Sequence, residues 1–177
     1  MLRFLLAVLA TALAITAAPA AEPLQVKADV INNEGKTIGT LTVRGSNRAV
    51  VGRLELTAGA LKPGWHAIHF HSIGDCTDTA KFEHAKDHIN LRKREQGLLN
   101  RRGPDNGDLP NILAAADGSV TVEFSSQLVS LQGRRTLLDS DGSALIIHAN
   151  PDDYISQPIG GADDHIACAA LKPAAQP

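Results

Sequence analysis

Seven histidines punctuate this chain, and three of them, His66, His69 and His71, crowd into one short run. That run, Gly64-Trp65-His66-Ala67-Ile68-His69-Phe70-His71, has the apolar content and alternation of a β-strand. Residues two apart leave a strand on the same face. His69 and His71 therefore project together, and His66 falls on the opposite face with Ile68 and Phe70. Two neighbouring imidazoles on one face are a natural bidentate start to a metal site. His66 reads instead as a structural, hydrogen-bonded histidine. A pair of this kind also occurs on solvent-facing strands, so its chemistry depends on what the fold brings to it. The other imidazoles are His84, His88, His148 and His165.

The elements that must position these groups are short and β-rich. Leu24–Ile31 alternates apolar and polar residues before the turn signal Asn32-Asn33-Glu34-Gly35, and 37–43 and 50–56 are similar runs. Asp117-Gly118 precedes a run over 120–124, Asp141-Gly142 precedes 144–147, and 166–171 reads as a last strand. Many short strands divided by turn signals predict an all-β antiparallel sandwich or barrel. Two stretches do not fit as strands. One is 74–111, polar, with basic clusters at Arg92-Lys93-Arg94 and Arg101-Arg102; the other is 151–164. Loops this long in a compact β domain are usually functional. Disorder is the alternative for the first, and its histidines and cysteine weigh against that.

The N-terminus has the pattern of an export signal. Arg3 gives a positive start, Phe4–Ile15 an apolar run too short to span a bilayer comfortably, and Ala18-Pro19-Ala20 a small-residue cleavage site. The expectation is a signal peptide over 1–21 and one domain over 22–177, with a buried or anchoring helix as the alternative. Loss of Arg3 takes the formal net charge from −2 to −3, which gives no reason to expect nucleic acid as a partner. The mature chain is expected in the periplasm or secreted, with no membrane association after cleavage. It has two cysteines, Cys76 and Cys168. An even pair in an exported chain favours a disulfide over a free reactive pair.

The run from Gly64 to His71, followed by Ile73-Gly74-Asp75-Cys76, resembles the Cu/Zn superoxide dismutases of the bacterial periplasmic type. Further matches follow in the same order. Phe82, Ala85, His88 and Asn90 resemble the segment bearing the histidine that bridges two metals, and Gly107-Asp108-Leu109-Pro110-Asn111-Ile112 resembles the zinc-aspartate motif. Ile146-Ile147-His148 with Asp152-Asp153 resembles the strand of the last copper histidine, and Ile166-Ala167-Cys168 the second disulfide cysteine. The resemblance spans essentially the whole mature chain. It implies an eight-stranded Greek-key β-barrel or sandwich with two long loops over the metal. It places copper on His69, His71, His88 and His148, and at Asp152 a carboxylate that orients a ligand histidine. Imidazole ligands suit copper in both oxidation states, whereas a hard ion prefers oxygen. The implied activity is dismutation of superoxide to oxygen and hydrogen peroxide, with His88 as proton carrier. Relatives occur as monomers or homodimers.

Two departures qualify that resemblance. His88 and Asp108 occupy zinc-ligand positions, but Gln96 and Asp105 stand where the other two zinc histidines fall. Glutamine is a poor zinc ligand, and one imidazole with two carboxylates, Asp105 and Asp108, makes a harder, weaker zinc site. Zinc is therefore expected to be weak or absent, and His84 could substitute only through a rearranged loop. The second departure is His165, which stands where the family has the arginine that attracts superoxide. Histidine is only partly charged near neutral pH and lacks the guanidinium fork. No Lys or Arg occurs from His148 through Leu171, whereas Asp152, Asp153, Asp163 and Asp164 all do. Steering of an anion would fall to the basic clusters, unless these form an ordinary solvated loop face. Two readings follow. One is a copper-dependent dismutase, copper-only or zinc-poor, with His88 and His165 as catalytic residues. The other is a periplasmic copper-binding or buffering protein with little or no dismutase activity.

Overall fold

The computed structural model describes residues 24–134 and 136–173; the stretch read as a signal peptide lies outside them. Nine strands form among the described residues: β1 (Leu24–Asn32), β2 (Thr37–Gly45), β3 (Val50–Leu56), β4 (Gly64–His66), β5 (Ile68–His71), β6 (Ile112–Ala114), β7 (Val120–Ser126), β8 (Ser143–His148) and β9 (His165–Leu171). Seven make one antiparallel sheet in the order β5-β8-β9-β1-β2-β3-β7, and β4 pairs with β6. β4 leads into β5 and β6 turns into β7, so the small pair connects the two edge strands of the larger, curled sheet. After β3 the chain crosses to the far edge at β5 and later returns to β7 beside β3. The all-β antiparallel fold is the one expected. The strand count is nine rather than eight, because the run 64–71 breaks at Ala67. There the main chain pairs instead with Asn150 and His148, at 2.9 Å each.

The alternation in the sequence decides which faces are buried. β3 buries Val50, Leu54 and Leu56 and turns Arg53 and Glu55 to solvent. β8 is buried at every position, so both its faces are covered. Leu145 and Ile147 join Leu41, Leu54, Ile68 and Phe70 in the main core. Ala144 and Ile146 face the other way, into a small cluster with Phe82, Ala85, Cys76 and Cys168. That cluster lies under the long loop, and the Cys76–Cys168 disulfide fastens the loop to β9.

The bridge spans 92 residues, a loop whose closure is worth about 4–5 kcal/mol in the chain-entropy model. We expect Cys168→Ser to lower the unfolding free energy by roughly 2–5 kcal/mol in urea titrations. Unchanged stability would show that the small apolar cluster holds the loop unaided.

Candidate metal centre

The register of β5 on β8 builds the first part of the site. His69 pairs with Ile146 and His71 with Ala144, so both imidazoles lie on the face of β8 turned away from the main core. His148 ends β8, and the register shift between Ile147 and His148 sets it opposite His165 of β9. The loop over 74–111 supplies His88 by lying against β5. The Ile89 amide donates to the Phe70 carbonyl, and the Phe70 amide donates to the Gly107 carbonyl, both at 2.9 Å. Bridges of His71 with His88 and His69 with Asp108 extend that contact. A Cβ at Gly107 would lie 2.3 Å from the Phe70 carbonyl oxygen, so only glycine permits this approach.

The ligating nitrogens of His69, His71, His88 and His148 all lie within 4.8 Å of one another. Each ring gives its other nitrogen to an oxygen. His69 Nε2 donates to Asp152 Oδ2 at 2.9 Å, His148 Nδ1 to the Asp163 carbonyl at 3.0 Å, and His88 Nδ1 to Asp105 Oδ2 at 3.1 Å. His71 Nδ1 donates to the Lys86 carbonyl. A neutral imidazole that donates from one nitrogen has a bare lone pair on the other. His69 Nδ1, His71 Nε2, His88 Nε2 and His148 Nε2 therefore present lone pairs to a common centre. His69 Nδ1 and His148 Nε2 face each other at 3.1 Å. His71 Nε2 and His88 Nε2 are buried without a hydrogen-bond partner. Convergent, unsatisfied imidazole nitrogens fit a borderline or soft transition metal, and copper meets that description.

The protonation states agree. Burial, reinforced by neighbouring imidazoles, holds His71 well below the usual histidine range and brings His148 down to about 2. Burial also lowers His69, outweighing its bond to Asp152. Neutral rings keep their lone pairs available. His66, across the strand, behaves as a structural residue. It is buried, with Nδ1 at 2.8 Å from the His148 carbonyl and Nε2 at 2.8 Å from that of Lys62.

Asp152 ties the two halves of the site together. Its Oδ2 accepts from His69 and from Gln96 Nε2, the latter at 2.5 Å, and its Oδ1 accepts the Tyr154 amide at 2.6 Å. Burial alone would raise this carboxyl, but those bonds outweigh it and hold the group below its ordinary value. Gln96 thus directs its amide nitrogen to Asp152. His88, Asp105 and Asp108 also form a potential ligand group, with one imidazole and two carboxylates. Asp105 Oδ1 accepts the amides of Gly107 and Asp108, and Asp108 Oδ2 those of Gly97 and Asp105. Burial, then the charge of Asp105, pushes Asp108 up to about 7. The proton on His88 Nδ1 already faces Asp105, with Asp108 Oδ1 at 3.8 Å. This oxygen-rich group is a poorer match to zinc than a set with three imidazoles.

His165 stands edge-on to the cluster, its ring centroid 4.9 Å from that of His148 and 5.1 Å from that of His71. Its Nδ1 donates to the Lys81 carbonyl at 3.0 Å. With His71, Lys86, His88 and Arg94 it lines a cavity of about 600 Å³. Arg94 is the one member of the two basic clusters on that cavity, and Arg102 pairs with Glu95 at 2.7 Å. His84 is no substitute ligand: it lies exposed beside Thr77, Asp75 and Asp78, held by the short 3₁₀ turn Glu83–Ala85. The sequence reading missed the Lys86 and Asp163 carbonyls as partners of His71 and His148. No side-chain pattern marks them, because the loop backbone supplies both.

The family model of the copper/zinc superoxide dismutases matches residues 37–171, and this chain belongs to that family. It is 50% identical over 143 residues to a Cu-Zn superoxide dismutase of Caulobacter vibrioides, covering 78% of this chain and 80% of that protein. A Cu-Zn superoxide dismutase of Aquifex aeolicus is 39% identical over 155 residues, with 86% and 90% covered. Among solved structures, a double mutant of a superoxide dismutase-like protein from Bacillus subtilis matches with a TM-score of 0.78 and 35% identity, covering 83% of this chain and 97% of that one. Membership implies an oxidoreductase fold built for superoxide, with copper and usually zinc.

Two outcomes follow from this geometry. Gln96→His combined with Asp105→His should raise zinc uptake to about one equivalent, above that of the unaltered chain; metal analysis after dialysis checks this, and stoichiometric zinc in the unaltered chain would contradict it. The second concerns pH. Asp108 is raised from 3.8 to about 7, so over that interval the folded chain holds a proton that the unfolded chain has lost. Its contribution therefore falls as pH rises from about 4 to 7, against the larger gain from His69, His71 and His148, which stay neutral in the folded chain while their unfolded counterparts lose protons up to about pH 6.5; Asp108→Asn should steepen the net rise of metal-free stability with pH in urea titrations. Equal slopes would contradict the assignment.

Proposed function

We propose that this chain is an exported, copper-dependent superoxide dismutase, copper-only or zinc-poor. The observation that carries the reading is the set of inward lone pairs on His69, His71, His88 and His148, each fixed by an outward hydrogen bond. Copper held there would supply the redox step, taking an electron from one superoxide to give oxygen and passing it to a second, which leaves as hydrogen peroxide with two protons. His88 is assigned as the proton carrier, because its Nε2 lacks a partner and the residue lines the cavity. Asp105 and Asp108 retain the proton on His88 Nδ1, in the place where a zinc ion would otherwise hold that nitrogen. His165 lies perpendicular to the rings of His71 and His148 and lines the cavity beside them. Export is supported by the leader pattern and by the disulfide, which persists in oxidising compartments.

A second reading, a periplasmic copper-binding or buffering protein, is favoured by one feature. The stretch from His148 to Leu171 has four aspartates and no cation, which disfavours capture of an anion from that side.

Purified mature protein should contain one copper and little zinc, and should remove superoxide in pulse radiolysis well above the background of chelated copper. His165→Arg should raise that rate severalfold by restoring a guanidinium at the mouth. Tightly bound copper with no turnover would establish the buffering reading instead.

A further inference from the structure

Lys86 holds a backbone conformation that a lysine has no local reason to adopt. Its φ of 63° and ψ of −156° lie in a region occupied almost entirely by glycine, since a Cβ there crowds the adjoining peptide groups. The residue closes the 3₁₀ turn, its amide donating to the Glu83 carbonyl at 3.1 Å, and its carbonyl accepts from His71 Nδ1. Glycine would make both contacts without strain. The main chain therefore gives no account of the lysine, and its side chain has to.

Lys86 is exposed and is one of the residues lining the cavity that also holds His71, His88, His165 and Arg94. Lys86 and Arg94 make no ion pair among the described residues, whereas Lys81 and Arg102 are matched by Glu83 and Glu95. Two anions line the same cavity, Asp87 and Asp105. Asp105 is engaged by His88 and by backbone amides, which leaves Asp87 as the exposed charge to be offset. We propose that Lys86, with Arg94, is the cationic lip that draws superoxide to the cavity, taking over the electrostatic task for which His165 is poorly suited. The inference rests on the dismutase reading and names the residues that give that site its anion specificity. Lys86 is a steering residue through its ammonium and a positioning residue for His71 through its carbonyl.

Three substitutions in the full mature protein separate these roles. Lys86→Ala removes the charge and keeps the strain, Lys86→Gly removes both, and Lys86→Arg keeps both. At low ionic strength, Ala and Gly should each lower kcat/KM for superoxide by about 3- to 10-fold, and the difference should shrink toward unity in roughly 0.5 M salt. Arg should stay near the unaltered protein. In the metal-free state, Gly alone should raise Tm, by about 2–6 °C, which identifies the strain independently of activity. An unaltered kcat/KM and salt slope in both Ala and Gly would overturn the proposal. If the unaltered copper-loaded protein shows no turnover, the dismutase reading fails by itself, and azide titration followed by electron paramagnetic resonance decides the role of Lys86. A Kd weakened about threefold or more in Ala and Gly supports the cationic lip, and an unchanged Kd overturns it.

Discussion

The buried hydrogen bond from His69 Nε2 to Asp152 Oδ2, 2.9 Å long, sets the tautomer on which the proposed centre depends. While that proton stays outside, Nδ1 of His69 is bare and meets the bare Nε2 of His148 at 3.1 Å. The carboxylate can do this because three neighbours hold it in its charged form despite burial. It is also a junction of the chain. Asn111 brackets the Asp152 peptide, giving its side-chain amide to the carbonyl and accepting the backbone N–H, both at 2.9 Å. A Cβ at Gly160 would fall 1.7 Å from Asp152 Oδ1, so the second loop can close over the carboxylate only with glycine there. One contact thus couples the orientation of His69 to the placement of both loops.

The same logic explains how the His88 side of the site can work with a different donor set. His88 Nδ1 faces Asp105 and Asp108, and each carboxylate has its other oxygen anchored by two backbone amides. A proton on His88 is taken up by Asp105 Oδ2 at 3.1 Å while Asp108 Oδ1 stays buried without a hydrogen-bond partner, and a ring so held keeps Nε2 turned toward the other imidazoles. Gln96, bonded to Asp152, preserves a link between that carboxylate and the first loop that needs no metal. Gln96 and Asp105 thus each take part in a hydrogen bond to a residue of the site, to Asp152 and from His88.

Much of the fold was legible because its strands alternate: β3 buries alternate residues, and the period of two sends His69 and His71 to one face. The brief β4–β6 pairing was not, since three-residue strands give too little pattern to register. Within the candidate site, His69, His71, His88 and His148 come together, and Asp105, Asp108 and Asp152 lie against them. What the sequence hid is the loop backbone. The carbonyls of Lys86 and Asp163 that orient two of the imidazoles come from residues at positive φ, 63° and 64°. Neither side chain advertises that conformation, and in the Asp163 case the functional atom is not the carboxylate. His84 illustrates the converse, because a histidine in the right loop is turned to solvent by the short helical turn that carries it.

Crystals of the protein grown with equimolar copper and zinc, measured on both sides of each absorption edge, test the single-metal account most directly. The account predicts a copper peak enclosed by His69 Nδ1 and the Nε2 atoms of His71, His88 and His148, with no zinc peak between His88 Nδ1 and the carboxylates of Asp105 and Asp108. A fully occupied zinc peak in that second position, or copper bound away from the imidazole cluster, would contradict it.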